Sequence, residues 1–445
     1  MRSEPSSPSR ALLDGLCCAA LPYHGDAREL GPLLEAIGDA RFVLLGEATH
    51  GTHEFYRTRA QLTQRLLAER GFDAVAVEAD WPDALCLNDY VRGREAPDDS
   101  PDEALATFTR FPRWMWRNEE VRELLAWMRA EARHAGFYGL DLYSLHASIR
   151  AVVSYLEKHD PAAAARARAR YSCFEQYGHD PHEYAEAAGY GLTSSCEQAV
   201  VHQLLELQQR VPPHGDPDSH FHAEQNAHLA KNAEAYARAM FAGRHASWNL
   251  RDTHMADTLD RLAEHLERRN GHPARIVVWA HNSHLGDARA TGMGDEGELN
   301  LGQLVRQRHG REAFNLGFTT FSGTVLAARE WDSPGLVRTV RPGLADSYEA
   351  LFHQAGTHAG MPNFLLRMQD LGEAASGALR ERRLERAIGV VYAPATERWS
   401  HYFEAELPAQ FDAVMHFDES HALRALDADA GRSEDEVPET FPSGL

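Results

Sequence analysis

At three places in the chain an apolar run stops and acids and histidines begin. RFVLL leads into Gly46-Glu47-Ala48-Thr49-His50-Gly51-Thr52-His53-Glu54, FDAVAV into Glu78-Ala79-Asp80, and ARIVVWA into His281-Asn282-Ser283-His284. A neutral imidazole steadied by a carboxylate can take a proton from water, so general-base hydrolysis is the chemistry these residue types suit. The chain has no G-x-S-x-G elbow to supply a serine nucleophile. It also lacks a G-x-x-x-x-G-K-[ST] loop and a G-x-G-x-x-G turn after a strand, which removes support for the nucleotide-binding classes.

His50 and His53 stand three residues apart, as do His281 and His284, and neutral imidazoles beside carboxylates are ordinary metal ligands. Neither pair has the H-E-x-x-H form. The reading therefore needs no cofactor, with a divalent ion as its alternative. Asp80, before Trp81-Pro82, can cap a helix, and Asp141 in GLDLYS can orient a histidine or cap the helix expected near Ser144. Arg251, in Asn249-Leu250-Arg251-Asp252, can pair with an acid of the site or belong to a solvated helix start. His53, Asp80, Asp141 and Arg251 are candidates for contact with substrate.

The elements that must position these groups are short apolar strands. RFVLLGEATH (41 to 50), FDAVAVEAD (72 to 80), GFYGLDLYS (136 to 144), ARIVVWAHNSH (274 to 284), AFNLGFTT (313 to 320) and AIGVVYAP (387 to 394) all read as buried strands. Between the first two, TRAQLTQRLLAERG puts Leu62, Leu66 and Leu67 on one helical face, with Gly71 as the cap. Strand, helix, strand with runs apolar throughout predicts an α/β fold, a mostly parallel central sheet flanked by helices. In such sheets ligands bind at the carboxyl ends of strands, where the polar clusters stand. Residues 146 to 268 turn helical, with breaks at HDPHEY and VPPHGDPDSH, and read as an insertion roofing that edge. A polar extension, 1 to 27, precedes the main domain, 28 to 426, and is expected to be partly disordered; an acidic tail, 427 to 445, follows it.

Acidic residues outnumber basic ones 66 to 45, for a formal charge of -21, which repels nucleic-acid backbones. No apolar run approaches the roughly 20 residues that cross a bilayer, and MRSEPSSPSR makes a poor signal peptide. A cytoplasmic location without membrane attachment is expected. The five cysteines, Cys17, Cys18, Cys86, Cys173 and Cys196, show no C-x-x-C spacing and read as reduced thiols.

The strand-end clusters, in this order, resemble the erythromycin esterase family through GEATHG (46 to 51), VEAD (77 to 80) and WAHNSH (279 to 284). FYGLDLYS, FHAEQNAH, NLRDTHM and YAPATERWSHYF extend the resemblance over about residues 28 to 445. It implies an α/β core with a helical portion over a deep cleft, and hydrolysis of a macrolide lactone or related small-molecule ester by water without an obligatory metal. By the match, His50 would be the general base, held or tuned by Glu47, and Glu78 the second-strand carboxylate. His281 or His284, with preference for His284, would be the second essential histidine; protonated His284 or Arg251 would stabilise the oxyanion. GTHEFY, after His50, stands where antibiotic-inactivating members are expected to carry an arginine, so hydrolysis transfers more directly than the macrolide. Two other readings keep the same residues: a metal-dependent hydrolase, and a non-catalytic protein that holds a cyclic ligand.

Overall fold

The computed structural model describes residues 8–94, 100–177, 181–189, 195–210, 217–241 and 243–427. In chain order the strands are β1 (Ala20–Pro22), β2 (Phe42–Leu45), β3 (Ala74–Asp80), β4 (Gly136–Asp141), β5 (Ile276–Trp279) and β6 (Ala313–Ala327). They continue with β7 (Leu336–Val340), β8 (Asn363–Arg367), β9 (Arg383–Arg386), β10 (Tyr402–Ala405) and β11 (Ala413–Ser420). Among the described residues, nine of these form one sheet in the order β1-β8-β11-β6-β2-β5-β3-β4, with β7 paired to β6. β9 and β10 form a separate antiparallel pair.

The run from β11 to β4 is parallel at every step. Its apolar side chains alternate between two faces. Val43, Leu45, Val75, Val77, Val277 and Trp279 join one buried cluster, and Phe42, Leu44, Ala74, Ala76, Ile276 and Val278 join another. Both faces are thus covered, which is why these strands read as continuous apolar runs. The first cluster packs under the helix His53–Arg70, ended by Gly71 in the left-handed conformation with φ 64°. The second packs under helices Leu145–His159, Pro217–Ala239 and Arg244–Asn270.

Several expectations need correction. AIGVVYAP is not a strand: Ile388 and Val391 make single bridges to Thr49 and Ala328. Its apolar residues are buried because Ile388 and Tyr392 pack on the β6–β7 hairpin, so the run reports burial and not pairing. β8 and β11, which the strand reading passed over, complete the sheet, and β1 and β8 make its edge antiparallel. Within the expected N-terminal extension, residues 8–27 are described by the structure. The helix Arg10–Ala19 packs into a third core through Leu12 and Leu16, and β1 pairs with β8. Cys173 and Cys196 are disulfide-bonded and not free thiols, with Cα atoms 6.0 Å apart. A turn and a helix start that are 23 residues apart in sequence bring them together, which no local spacing signals.

From 145 to 270 every regular element among the described residues is helical. The breaks expected at HDPHEY and VPPHGDPDSH lie partly outside the described residues, as do residues 1–7 and all of the acidic tail after Asp427. Among the described residues no helix is long and apolar enough to cross a membrane.

Candidate active site

Because β2, β5, β3 and β4 are neighbours and parallel, their carboxyl ends lie side by side along one sheet edge. Here the polar clusters meet. The β3–β4 register shifts between Val77 and Asp80, an irregularity of the kind that re-aims side chains beside active sites. A cavity of about 640 Å³ opens at this edge, lined among others by His50, Glu78, Asp80, Asp141, Arg251, His281 and His284. The helix Arg244–Asn270 roofs it with Trp248 and Arg251, and the 387–404 segment forms another wall.

The chain leaves β2 through a tight passage. A side chain on Gly46 would run into Asn282 Oδ1, and one on Gly51 into the Leu326 carbonyl. Between the two glycines, His50 Nδ1 lies 2.9 Å from Glu47 Oε1, and the His50 ring faces the cavity. Glu47 stands behind it, 1% exposed, with Oε2 accepting from Arg59 Nη2 at 2.6 Å. Arg59 is itself buried, its guanidinium 4.3 Å and 4.5 Å from the ring centres of Tyr56 and Trp279. Nothing in TRAQL marks this arginine as special; only the fold brings it to Glu47.

Glu78 holds the centre. Its Oε1 accepts from Arg251 Nη2 at 2.7 Å, and its Oε2 accepts the backbone N–H of His281 at 2.9 Å. Burial alone would raise its pKa, but His284 and Arg251 hold the carboxyl well below its usual range. Arg251 also donates to both oxygens of Asp141, at 3.0 Å and 2.7 Å. Asp141 therefore orients an arginine rather than a histidine, and it is not the cap of the following helix. Arg251 and Asp252 lie well inside the helix that starts at Arg244, so the solvated helix-start reading of NLRD is wrong.

Asp252 is a site residue that sequence reasoning passed over. Both its oxygens lie within 3.0 Å of His284 Nδ1, and Oδ1 also accepts from Leu301 N–H. Its signal was an acid beside a buried arginine on one helix. The other nitrogen of His284, Nε2, is 3.3 Å from Glu78 Oε1 and 3.0 Å from Arg251 Nη1. Burial pushes the His284 pKa down, yet Asp252 and Glu78 outweigh it and lift the pKa to about 9. Trp248 stacks on this ring at 4.5 Å.

His281 differs. Its Nδ1 accepts from the Ser283 backbone N–H at 3.2 Å and lies 2.8 Å from Ser283 Oγ. Its Nε2 is buried without a hydrogen-bond partner. Burial, reinforced by the neighbouring His50, keeps this imidazole's pKa well below its ordinary value. The rings of His50 and His281 are 4.9 Å apart, so His281 is the histidine that packs on the candidate base.

His53 and Asp80 do not fulfil their expected roles simply. His53 pairs with Glu120 at the start of its helix and is not among the residues that line the cavity. Asp80 sits at the N-cap position of Trp81–Arg92 without a side-chain capping bond. It accepts from Ser144 N–H at 3.0 Å and pairs with Arg110, a second cavity residue. Among the described residues no three His, Cys, Asp or Glu side chains converge as a metal ion would need. Trp116 and Tyr143 are among the aromatics that line the cavity, whereas Trp81 and Trp114 do not reach it.

The model of the erythromycin esterase family matches this chain over residues 67–420. Erythromycin esterase type II of Escherichia coli is 23% identical over 410 residues, covering 87% of this chain and 92% of its own. A solved Bacillus cereus protein superposes with a TM-score of 0.75 at 18% identity, over 95% of this chain and all of that one. A histidine-to-asparagine variant of the erythromycin esterase EreC, in its open conformation, superposes with a TM-score of 0.65 at 19% identity, over 90% and 96% of the two chains. The match of the family model to well over half of the residues, with the same fold in these structures, makes this chain a member of the erythromycin esterase family.

Proposed function

We propose that the protein is a hydrolase that cleaves an ester or lactone with a water activated by His50. One observation carries this reading: His50 is tied to Glu47 through Nδ1 while its ring faces the cavity. The hydrogen bond assigns the proton to Nδ1 and leaves the Nε2 lone pair for a water. As that water gives its proton to Nε2, Glu47 stabilises the imidazolium and Arg59 keeps Glu47 oriented. Acid-base help of this kind contributes roughly 10²- to 10⁴-fold.

The water oxygen bonds to the carbonyl carbon, and negative charge forms on the carbonyl oxygen. Arg251 and the raised-pKa His284, both on the cavity wall, supply the positive charge that stabilises it. When the bond to the leaving alkoxide breaks, the His50 imidazolium returns its proton to that oxygen, giving acid and alcohol.

Family membership supports hydrolysis, and the name of the E. coli relative makes macrolides the first lactones to try. Mass spectrometry of macrolides and simple esters incubated with wild type and His50→Ala is the test. The expected result is the gain of one water by wild type and its loss in the variant. A variant that turns over like wild type would refute the assignment of His50. Tight binding of a lactone with no conversion would favour a non-catalytic role.

A further inference from the structure

Trp399 is 85% exposed, more than any other large hydrophobic side chain among the described residues, and yet it lines the catalytic cavity. It does not sit on a loose loop. Its N–H donates to the Thr396 carbonyl at 2.8 Å, and the His401 N–H to Glu397 at 2.8 Å. Buried Glu397 is ion-paired with buried Arg386 at 3.1 Å, and Arg398 with Asp346 at 2.9 Å. A firmly held turn therefore presents an indole to solvent at the mouth of a polar site. A lone exposed indole is ordinary on a protein surface, but one held in a fixed place on the wall of a cavity offers a ring face to whatever enters it. Elsewhere in the same cavity Phe111 and Trp331 meet edge to face with ring centres 4.9 Å apart, which adds a second aromatic surface.

We propose that Trp399 is a specificity-determining residue that stacks on an uncharged hydrophobic ring in the acyl or alcohol part of the substrate. The turn pre-orients the indole, so stacking costs little ordering and discriminates ring-bearing esters from small aliphatic ones. Its role in turnover rests on the hydrolase reading above; its role in binding does not. Trp399 has no part in the proposed proton transfers, so its contribution lies in KM and not in kcat.

The test has two arms. In the first, isothermal titration calorimetry measures 2-naphthol binding to wild type, Trp399→Ala and Trp399→Phe. The expected result is a Kd about tenfold weaker in the alanine variant and largely restored by phenylalanine. An unchanged Kd, or no binding to wild type, overturns the proposal whether or not any ester is hydrolysed. In the second, Trp399→Ala should raise KM for 2-naphthyl acetate by about tenfold while leaving kcat, and KM for methyl butyrate, near wild type. An equal change for both esters would overturn the proposal. Loss of 2-naphthol binding in an inactive protein would keep it and count against the hydrolase reading alone.

Discussion

Two groups of buried histidines stand in this molecule, one at the sheet edge and one within the helical portion, and their surroundings separate them. At the edge, His50 lies beside Glu47, and His284 between Asp252 and Glu78. In the helical portion, His228 and His254 stack at 5.2 Å, with Asn232 2.8 Å from His254 and no carboxylate hydrogen-bonded to either ring. His222 packs near Trp81 and Tyr138, also without a carboxylate partner. Burial holds the pKa values of His222 and His254 down at about 3 and about 4, so these rings are neutral core residues. His284 is equally buried, yet it is pushed up to about 9. Burial is common to both groups; what sets His50 and His284 apart is a carboxylate partner together with a place on the cavity wall, since His265 in the helical portion pairs with Asp218 away from the cavity.

The sharpest way to break this contrast is to remove one histidine from each group. His50→Asn should lower kcat about 10³-fold with little change in melting temperature. His254→Gln should leave kcat within about threefold and lower the melting temperature, because it disturbs packing and not proton transfer. If the second variant lost activity while staying folded, the division of labour would be wrong. The next effect concerns the frame. Arg251→Met strands the buried Glu78 and Asp141 carboxylates, and chemical denaturation should show a loss of about 3 kcal/mol or more. A near-neutral change would mean that the two acids are protonated or hydrated in the folded protein.

His284 and the helical histidines also predict opposite pH responses. His222, His228 and His254 have folded pKa values below that of a free imidazole. The unfolded chain therefore binds more protons at acid pH, and stability falls as pH drops from about 6.5 toward 4. His284 has a raised folded pKa, so its contribution is full below about 6.5 and is lost as pH rises through about 9. His228→Leu should flatten the acid limb of a stability profile by urea unfolding. Asp252→Asn, which keeps an acceptor for Leu301, should flatten the alkaline limb. Either variant moving the other limb would contradict the assignment.

The sequence revealed the candidate edge well because parallel strands buried on both faces leave continuous apolar runs, and the polar residues that end them must emerge at the sheet edge. FVLL, AVAV and IVVW located Glu47, Glu78 and His281 in this way. The partners that complete the site arrive from helices, where burial depends on tertiary packing. Arg59 looks like a surface position of an amphipathic helix, and Asp252 looks like a helix-start acid, until the helix is known to begin at Arg244. AIGVVYAP misled in the other direction, since packing on a hairpin and pairing in a sheet select the same residues. His53 misled because three-residue spacing on paper does not fix direction: His50 precedes the helix and faces in, whereas His53 opens it and turns to Glu120.

That last distinction yields the smallest expected effect. A metal held jointly by the two H-x-x-H pairs would need them to converge, but His53 is turned away, His284 Nδ1 is taken by Asp252, and His281 Nδ1 is taken by Ser283. Such an ion would have to displace these bonds, and any ion at this edge would meet the positive charge of Arg251 and His284. Dialysis against EDTA should accordingly change kcat by less than about twofold, the scale of a contact that plays no part in the chemical step. Activity lost to the chelator and recovered with Mn²⁺ or Zn²⁺ would show that the histidines are ligands, and would move the activation of water from His50 to the ion.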